Sequence, residues 1–308
     1  MLSEQTVTIQ QVDTPSLVKG FTEYDAHLSN GITLRFAAAG QGETLVLLHG
    51  HPQNHATWHK VAPILAKQYY VILPDIRGYG DSDRPPSDNT HRAYSKRVMA
   101  HDIILLMDEL QITNFYFVGH DRGARVGHRL ALDYPSQLTK AVFLDIAPTA
   151  TMYAMTNKEF ATRYFWWFFL IQPQPLPEKL IGADPEFFLR KHIDGQLKTP
   201  NALSDEIFKD YLRCYENPKM IHAVCEDYRA AATIDLSDDD SDQDKLIQCP
   251  LLVLWGSKGT VGQLYDVLAI WQQKAVNVEG MALDCGHSPQ EEIADEFLLH
   301  LQKFLQQN

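Results

Sequence analysis

The sequence predicts an α/β fold, a mostly parallel sheet with helices on both faces and a helical segment inserted over one edge. Three observations carry this expectation. Short apolar runs alternate with helix-length stretches. The alternation breaks over residues 148–236. One apolar run, Phe115-Tyr116-Phe117-Val118, feeds directly into Gly119-His120-Asp121-Arg122-Gly123 and then into a helix-prone stretch.

In chain order, residues 44–48 (TLVLL) and 70–73 (YVIL) read as buried strands, and so do 115–118 (FYFV), 141–144 (AVFL) and 251–255 (LLVLW). Unbroken apolar runs of this length suit strands covered on both faces. Helices are expected over residues 55–67, 94–110 and 122–133, with a closing helix over about 291–306. Residues 148–236 are aromatic-rich, helical in pattern and punctuated by Gln172-Pro173-Gln174-Pro175-Leu176-Pro177. A block of that size between two core strands reads as a lid over the carboxyl edge of the sheet, where ligands bind in such folds. The expected organisation is therefore a core of residues 1–147 and 237–308 with a helical cap of 148–236. The acidic run from Ser237 to Asp242 reads as a solvated loop returning to the core rather than as a metal site. No internal repeat is evident.

At 308 residues the chain suits one large domain with an insertion or two domains, and 45% hydrophobic with 21% charged residues is ordinary for a globular protein. No stretch approaches ~18 uncharged apolar residues. The start, MLSEQTVTIQ, lacks a basic region followed by an apolar core. A cytoplasmic protein without membrane contact is expected. Cys214, Cys225, Cys249 and Cys285 fall in no metal-ligand or CxxC spacing and read as isolated reduced thiols. The net charge of −12 argues against a nucleic-acid partner. It also means that an anionic substrate would need local positive charge, which Arg122 and Arg125 could supply.

The Gly-x-Asp-x-Gly run is the nucleophile-elbow pattern of an α/β-hydrolase, a sharp strand-to-helix turn with glycines flanking a strained residue. Asp121 stands where esterases and lipases place serine. A carboxylate displaces a leaving group from a saturated carbon and is left as an ester. Hydrolysing that ester needs a base and an acid that orients the base. His287, in Asp284-Cys285-Gly286-His287, lies last in chain order, where this fold places its histidine. The next-to-last strand ends Leu254-Trp255-Gly256-Ser257-Lys258 with no carboxylate, so the orienting acid is assigned to Asp145, which ends the strand after the nucleophile helix. Asp75 is a weaker competitor. His49-Gly50-His51-Pro52 matches the oxyanion loop, so the backbone N–H groups of His51 and Arg122 are expected to bind the oxyanion.

Together Asp121-Arg122-x-x-Arg125, His49-Gly50-His51-Pro52-Gln53, Asp145, Gly286-His287 and the stretches Tyr164-Phe165-Trp166-Trp167 and Glu226-Asp227-Tyr228-Arg229-Ala230 resemble the haloacetate dehalogenases, including fluoroacetate dehalogenases. The resemblance implies an α/β-hydrolase fold with an eight-stranded sheet. It implies hydrolytic dehalogenation of a short, anionic 2-haloacid without cofactor or metal, and a homodimer. It further implies that Arg122 and Arg125 hold the substrate carboxylate and that Trp166, Trp167 and Tyr228 line the halide pocket. Positions three apart at a helix N-terminus share a face, which suits a paired guanidinium clamp. The chain departs from the pattern at Trp166, where fluoroacetate-active members carry His. An indole donates one hydrogen bond and never becomes cationic, so chloroacetate or bromoacetate turnover is expected ahead of defluorination. Epoxide hydrolysis, which uses the same Asp, Asp and His, stays open through the cap tyrosines Tyr153, Tyr164, Tyr211 and Tyr228, although the arginine pair counts against a neutral epoxide. A non-catalytic binding protein on this scaffold would normally have lost part of the triad.

Overall fold

A computed structural model describes residues 8–307; residues 1–7, most of the segment weighed as a leader, lie outside the described residues. One sheet holds β1 (Ile9–Gln11), β2 (Thr22–His27), β3 (Thr33–Ala39), β4 (Thr44–Leu48), β5 (Tyr70–Pro74), β6 (Phe115–His120), β7 (Leu138–Leu144), β8 (Leu251–Gly256) and β9 (Val278–Leu283). The spatial order is β1-β2-β3-β5-β4-β6-β7-β8-β9. Pairings from β5 through to β9 are parallel, and those among β1, β2, β3 and β5 are antiparallel. The sheet has nine strands where eight are expected, the short β1 being added along the edge of β2.

The interior strands bury both faces. Phe117, Phe143 and Val253 join Trp271 in one apolar body, whereas their neighbours Val118, Val142, Leu252 and Leu254 belong to the other. Each fully buried side chain of this kind contributes about 1.5–3 kcal/mol. Strand pairing then places the carboxyl ends of β4, β6, β7 and β8 side by side. The ladder continues one residue past two of these ends: Asp121 N–H donates to Leu144 O at 3.3 Å and Asp145 N–H to Leu254 O at 2.8 Å.

Helix Arg122–Asp133 forms as expected. Of the other three expected helices, two are interrupted and one is continuous with slightly trimmed ends. Residues 55–67 divide into a 3-10 turn, His55–Trp58, and the helix Ala62–Leu65. Asp75 is one cause: its Oδ1 accepts both the backbone N–H of His55 (2.8 Å) and the ring Nδ1 (2.9 Å). Residues 94–110 become the helix Lys96–Glu109, started by Ser95, whose hydroxyl accepts Val98 N–H at 3.3 Å. The closing segment is Pro289–Glu292 followed by Ala294–Leu305.

Between β7 and β8 the described residues hold eight helices, from Thr149–Ala154 to Ile234–Ser241, and no strand. The acidic run is not the solvated loop expected from composition. Residues 237–241 end the helix Ile234–Ser241, and Arg97 takes Asp238 (2.6 Å) and Asp242 (2.7 Å), while Arg129 takes Asp242 (2.9 Å). Opposite charge from the helices Lys96–Glu109 and Arg122–Asp133 thus neutralises a stretch that repels itself in isolation. The boundary expected after residue 236 falls inside that helix, and division into core and cap remains a proposal from topology. All four cysteines are free and buried. Among the described residues no helix is long and apolar enough to cross a membrane.

Candidate active site

The turn from β6 into helix Arg122–Asp133 is as tight as the glycine spacing requires. A Cβ on Gly119 would lie 2.6 Å from Ala124, and one on Gly123 would lie 2.3 Å from His49 O. Asp121 between them is held at φ 45°, ψ −112°, an unfavourable conformation for a residue with a side chain, costing about 1–3 kcal/mol. That cost presents the carboxylate at the strand's end. His51 N–H donates to Asp121 Oδ2 at 3.1 Å, while Arg122 opens the helix that begins beside it.

Asp121, Asp145 and His287 converge from three strand ends. His287 Nδ1 donates to Asp145 Oδ2 at 2.5 Å, and Asp145 Oδ1 also accepts Gly256 N–H at 2.9 Å. The strand end that lacks a carboxylate therefore contributes a backbone donor to the acid on its neighbour. His287 Nε2, buried with no hydrogen-bond partner, lies 4.0 Å from Asp121 Oδ1. That separation exceeds a hydrogen bond and suits a bridging water. Asp75 does not compete: its carboxylate is taken up by His55 and Asp81 N–H.

Electrostatics separate the two acids. Burial works to raise Asp121, but His287, Arg125 and Arg122 outweigh it and hold Asp121 at about 2. Asp145 is raised, because burial outweighs the His287 and Gly256 hydrogen bonds. For His287, burial lowers the pKa, but the Asp145 hydrogen bond and the charges of Asp145 and Asp121 lift it above the ordinary histidine value. A buried ionised carboxylate thus sits beside a histidine biased toward protonation.

The two arginines behave differently. Arg122 is fully buried and engaged with a carboxylate: Nε donates to Asp227 Oδ2 (2.8 Å) and Nη2 to Asp227 Oδ1 (2.7 Å) and the Asp227 carbonyl (2.9 Å). Only its Nη1 is left unpartnered. Asp227 also accepts Tyr79 hydroxyl (2.7 Å) and Lys96 Nζ, and Lys96 reaches Asp235 at 3.6 Å. Arg125 has no ion-pair partner among the described residues. Its Nη1 donates to Ala147 O (2.9 Å) and Thr149 Oγ1 (3.0 Å), its Nη2 faces Met152 Sδ (3.2 Å), and Nε is unpartnered. Its guanidinium lies 4.8 Å from the Trp167 ring. Burial lowers its pKa, and the nearby Asp121 charge opposes this.

Side chains from the helical segment between β7 and β8 lie beside these groups. Trp166, Trp167 and Tyr228 are all buried, with Tyr228 under Arg122 (4.2 Å) and 6.3 Å from Trp167. The His51 ring spans the Tyr215 hydroxyl (2.9 Å) and the Tyr228 hydroxyl (3.3 Å). Sequence reasoning missed Asp227, which holds Arg122, and Lys96 and Tyr79, which bond to Asp227 in turn; only Asp227 carried a signal, in the Glu226-Asp227-Tyr228-Arg229 stretch. Likewise Tyr153, considered only as an epoxide donor, has a buried hydroxyl with no partner and packs 5.1 Å from Trp167. His192 was missed entirely. It packs 4.6 Å from His51 and 4.4 Å from Trp166, and nothing in Lys191-His192-Ile193 distinguishes it from a surface histidine.

Residues 43–293 match the family model described as the alpha/beta hydrolase fold. A fluoroacetate dehalogenase from Burkholderia sp. is 40% identical over 89% of this chain and 90% of its own length. A soluble epoxide hydrolase from Corynebacterium sp. (strain C12) is 32% identical over 88% of this chain and 93% of its own. A crystal structure from Salmonella enterica, given a provisional acyltransferase name, superimposes with a TM-score of 0.95 at 64% identity, covering 96% of this chain and 98% of that one.

Proposed function

Since the chain belongs to the α/β-hydrolase family, among its haloacetate dehalogenase-like members, we propose that it hydrolyses the carbon–halogen bond of short 2-haloacids. A haloacetate and water become glycolate and halide. The observation that carries this reading is Arg125, a buried guanidinium without a carboxylate partner, one helical turn from Asp121. The other buried cations at the site, Arg122 and Lys96, are matched by Asp227 and Asp235. A substrate carboxylate is the natural counter-ion for the one left over, with Arg122 adding its free Nη1 N–H.

In this reading Asp121 attacks the α-carbon and inverts it; a C–O bond forms, the C–X bond breaks, and the electron pair leaves with the halide. Trp166, Trp167 and Tyr228 solvate that halide. Forming the ester removes the charge of Asp121, one of the charges that raise His287. His287 is then more readily neutral at the step that needs a base. It takes a proton from water as the water attacks the Asp121 ester carbonyl, whose developing oxyanion is met by the N–H groups of His51 and Arg122. The reaction as written calls for no cofactor. We place it in the cytoplasm, in a homodimer, with small anions as substrates.

Two measurements test the reading. Wild-type protein is assayed for halide release from fluoro-, chloro- and bromoacetate, the latter two expected ahead of fluoroacetate. A single turnover in heavy-oxygen water then locates the label. Label appearing in Asp121 before it appears in glycolate supports the two-step route; label in the product first defeats it. A second reading, epoxide hydrolysis, is favoured by the unpartnered Tyr153 hydroxyl, which could protonate an epoxide oxygen, and by the Corynebacterium relative. Turnover of styrene oxide without turnover of chloroacetate would select it.

A further inference from the structure

We propose that His192 is a further catalytic residue, one whose ring N–H hydrogen-bonds the departing halide; this rests on the dehalogenase reading above. His192 is 4% exposed, and both its ring nitrogens are buried without a hydrogen-bond partner. It is the one imidazole among the described residues for which this holds. Leaving a buried donor or acceptor unsatisfied is costly, so an imidazole kept in this state points to a partner that arrives with the reaction.

Its position indicates which partner. The ring stands edge-on between His51 (4.6 Å) and Trp166 (4.4 Å). His51 gives its backbone N–H to Asp121 and its ring to the Tyr228 hydroxyl. His192 is therefore one ring removed from the nucleophile, on the cap side where Trp166 and Tyr228 stand. Its helix, Pro185–Gln196, is tied to the catalytic loop, for Gln196 O accepts the backbone N–H of His287 at 3.2 Å. Lys198 and Thr199 just beyond donate to Glu292 at 2.8 and 3.0 Å. These bonds anchor the carboxyl end of His192's helix to the loop that carries His287.

Burial keeps the imidazole neutral, so it brings one N–H and one lone pair. When Asp121 forms its bond to carbon, the C–X pair leaves with X, and the His192 N–H strengthens its hydrogen bond to the growing negative charge without giving up the proton. The smaller and less polarisable the halide, the more concentrated its charge and the more it gains from this donor. His192 is thus the donor that works against the disadvantage of Trp166 for fluoride.

The test uses His192→Phe, which keeps a flat ring and removes the N–H, with His192→Gln as the variant that restores a donor. Loss of kcat/KM in His192→Phe is expected to be graded, about 10²-fold on fluoroacetate or on the hardest halide turned over, and under about 10-fold on bromoacetate. His192→Gln should recover part of it. An equal loss on all halides, or none, overturns the assignment. Chloride titration of the resting protein, read by tryptophan fluorescence, needs no turnover. About tenfold weaker chloride binding by His192→Phe supports the donor role, and unchanged binding overturns it. If wild type releases no halide from any haloacetate, the dehalogenase reading fails by itself, while the chloride titration still decides whether His192 meets an anion.

Discussion

At the residue scale, the proposal turns on Asp121 and His287 having opposite protonation tendencies. Asp121→Asn is expected to lower kcat by about 10⁴-fold or more, as loss of a nucleophile does elsewhere, provided mass analysis shows no deamidation. His287→Gln should divide the reaction in two: one equivalent of halide is released, then the carboxymethyl ester stays on Asp121 and appears by mass spectrometry. Turnover without an accumulating adduct would count against His287 as the base. The pH dependence follows with a definite sign. His287 is raised and must be neutral to activate water, so kcat should rise with pH through the His287 titration, while the halide burst persists at lower pH. Asp121, held at about 2, stays ionised throughout and should add no limb of its own in that range. An acid limb of equal size in the burst would show that His287 acts before the ester forms.

At the element scale, the elbow is a strand–turn–helix unit whose geometry is set by contact distances. Gly123→Ala would put a Cβ 2.3 Å from His49 O on the neighbouring strand end, and backbone cannot yield as a side-chain tip can. We expect a destabilisation of about 1–3 kcal/mol, read as a lower Tm, together with loss of activity from a displaced Asp121. The helix Pro218–Ala231 has an equally specific duty. Its Asp227 neutralises Arg122 and Lys96, so Asp227→Asn would leave buried cations under-compensated at a cost of about 3–5 kcal/mol. Chemical denaturation would measure it. A change under about 1 kcal/mol would mean that water or another group takes over the pairing.

At the scale of the whole molecule, a net charge of −12 is compatible with the anionic substrate proposed above only because positive charge is placed locally and left without an ion-pair partner at Arg125. The long-range field still opposes approach. Raising the ionic strength with a non-halide salt shortens the Debye length to about 10 Å at 0.1 M, so kcat/KM on a haloacetate should increase across that range. A decrease would mean that the site's own cations dominate the field the substrate meets on its way in.

The interior strands and the turn at Asp121 were legible because apolar runs report burial on both faces and glycine spacing reports the elbow. Asp145 could be chosen as the partner of His287 from its strand-end position, and the two do meet, whereas a role for Arg122-x-x-Arg125 came from the family resemblance. Weakly patterned elements were not legible: β1, β2, β3 and β9 lie towards the sheet's two ends, and β9 is largely exposed along VEGMAL, so they lack the unbroken apolar run that marks a buried strand. The acidic helix end was misread because the arginines that neutralise it lie in other segments.

The amino-acid order by itself determined the fold class and which residue stands at the strand-to-helix turn, Asp121, since both follow from local periodicity and from which side chain a tight turn can present. Which arginine pairs with a carboxylate and which does not, and which histidine is buried with both ring nitrogens unpartnered, only the tertiary structure decided. Charge pairing and hydrogen-bond satisfaction are properties of neighbours in space, and Asp227 stands 105 residues from Arg122 along the chain.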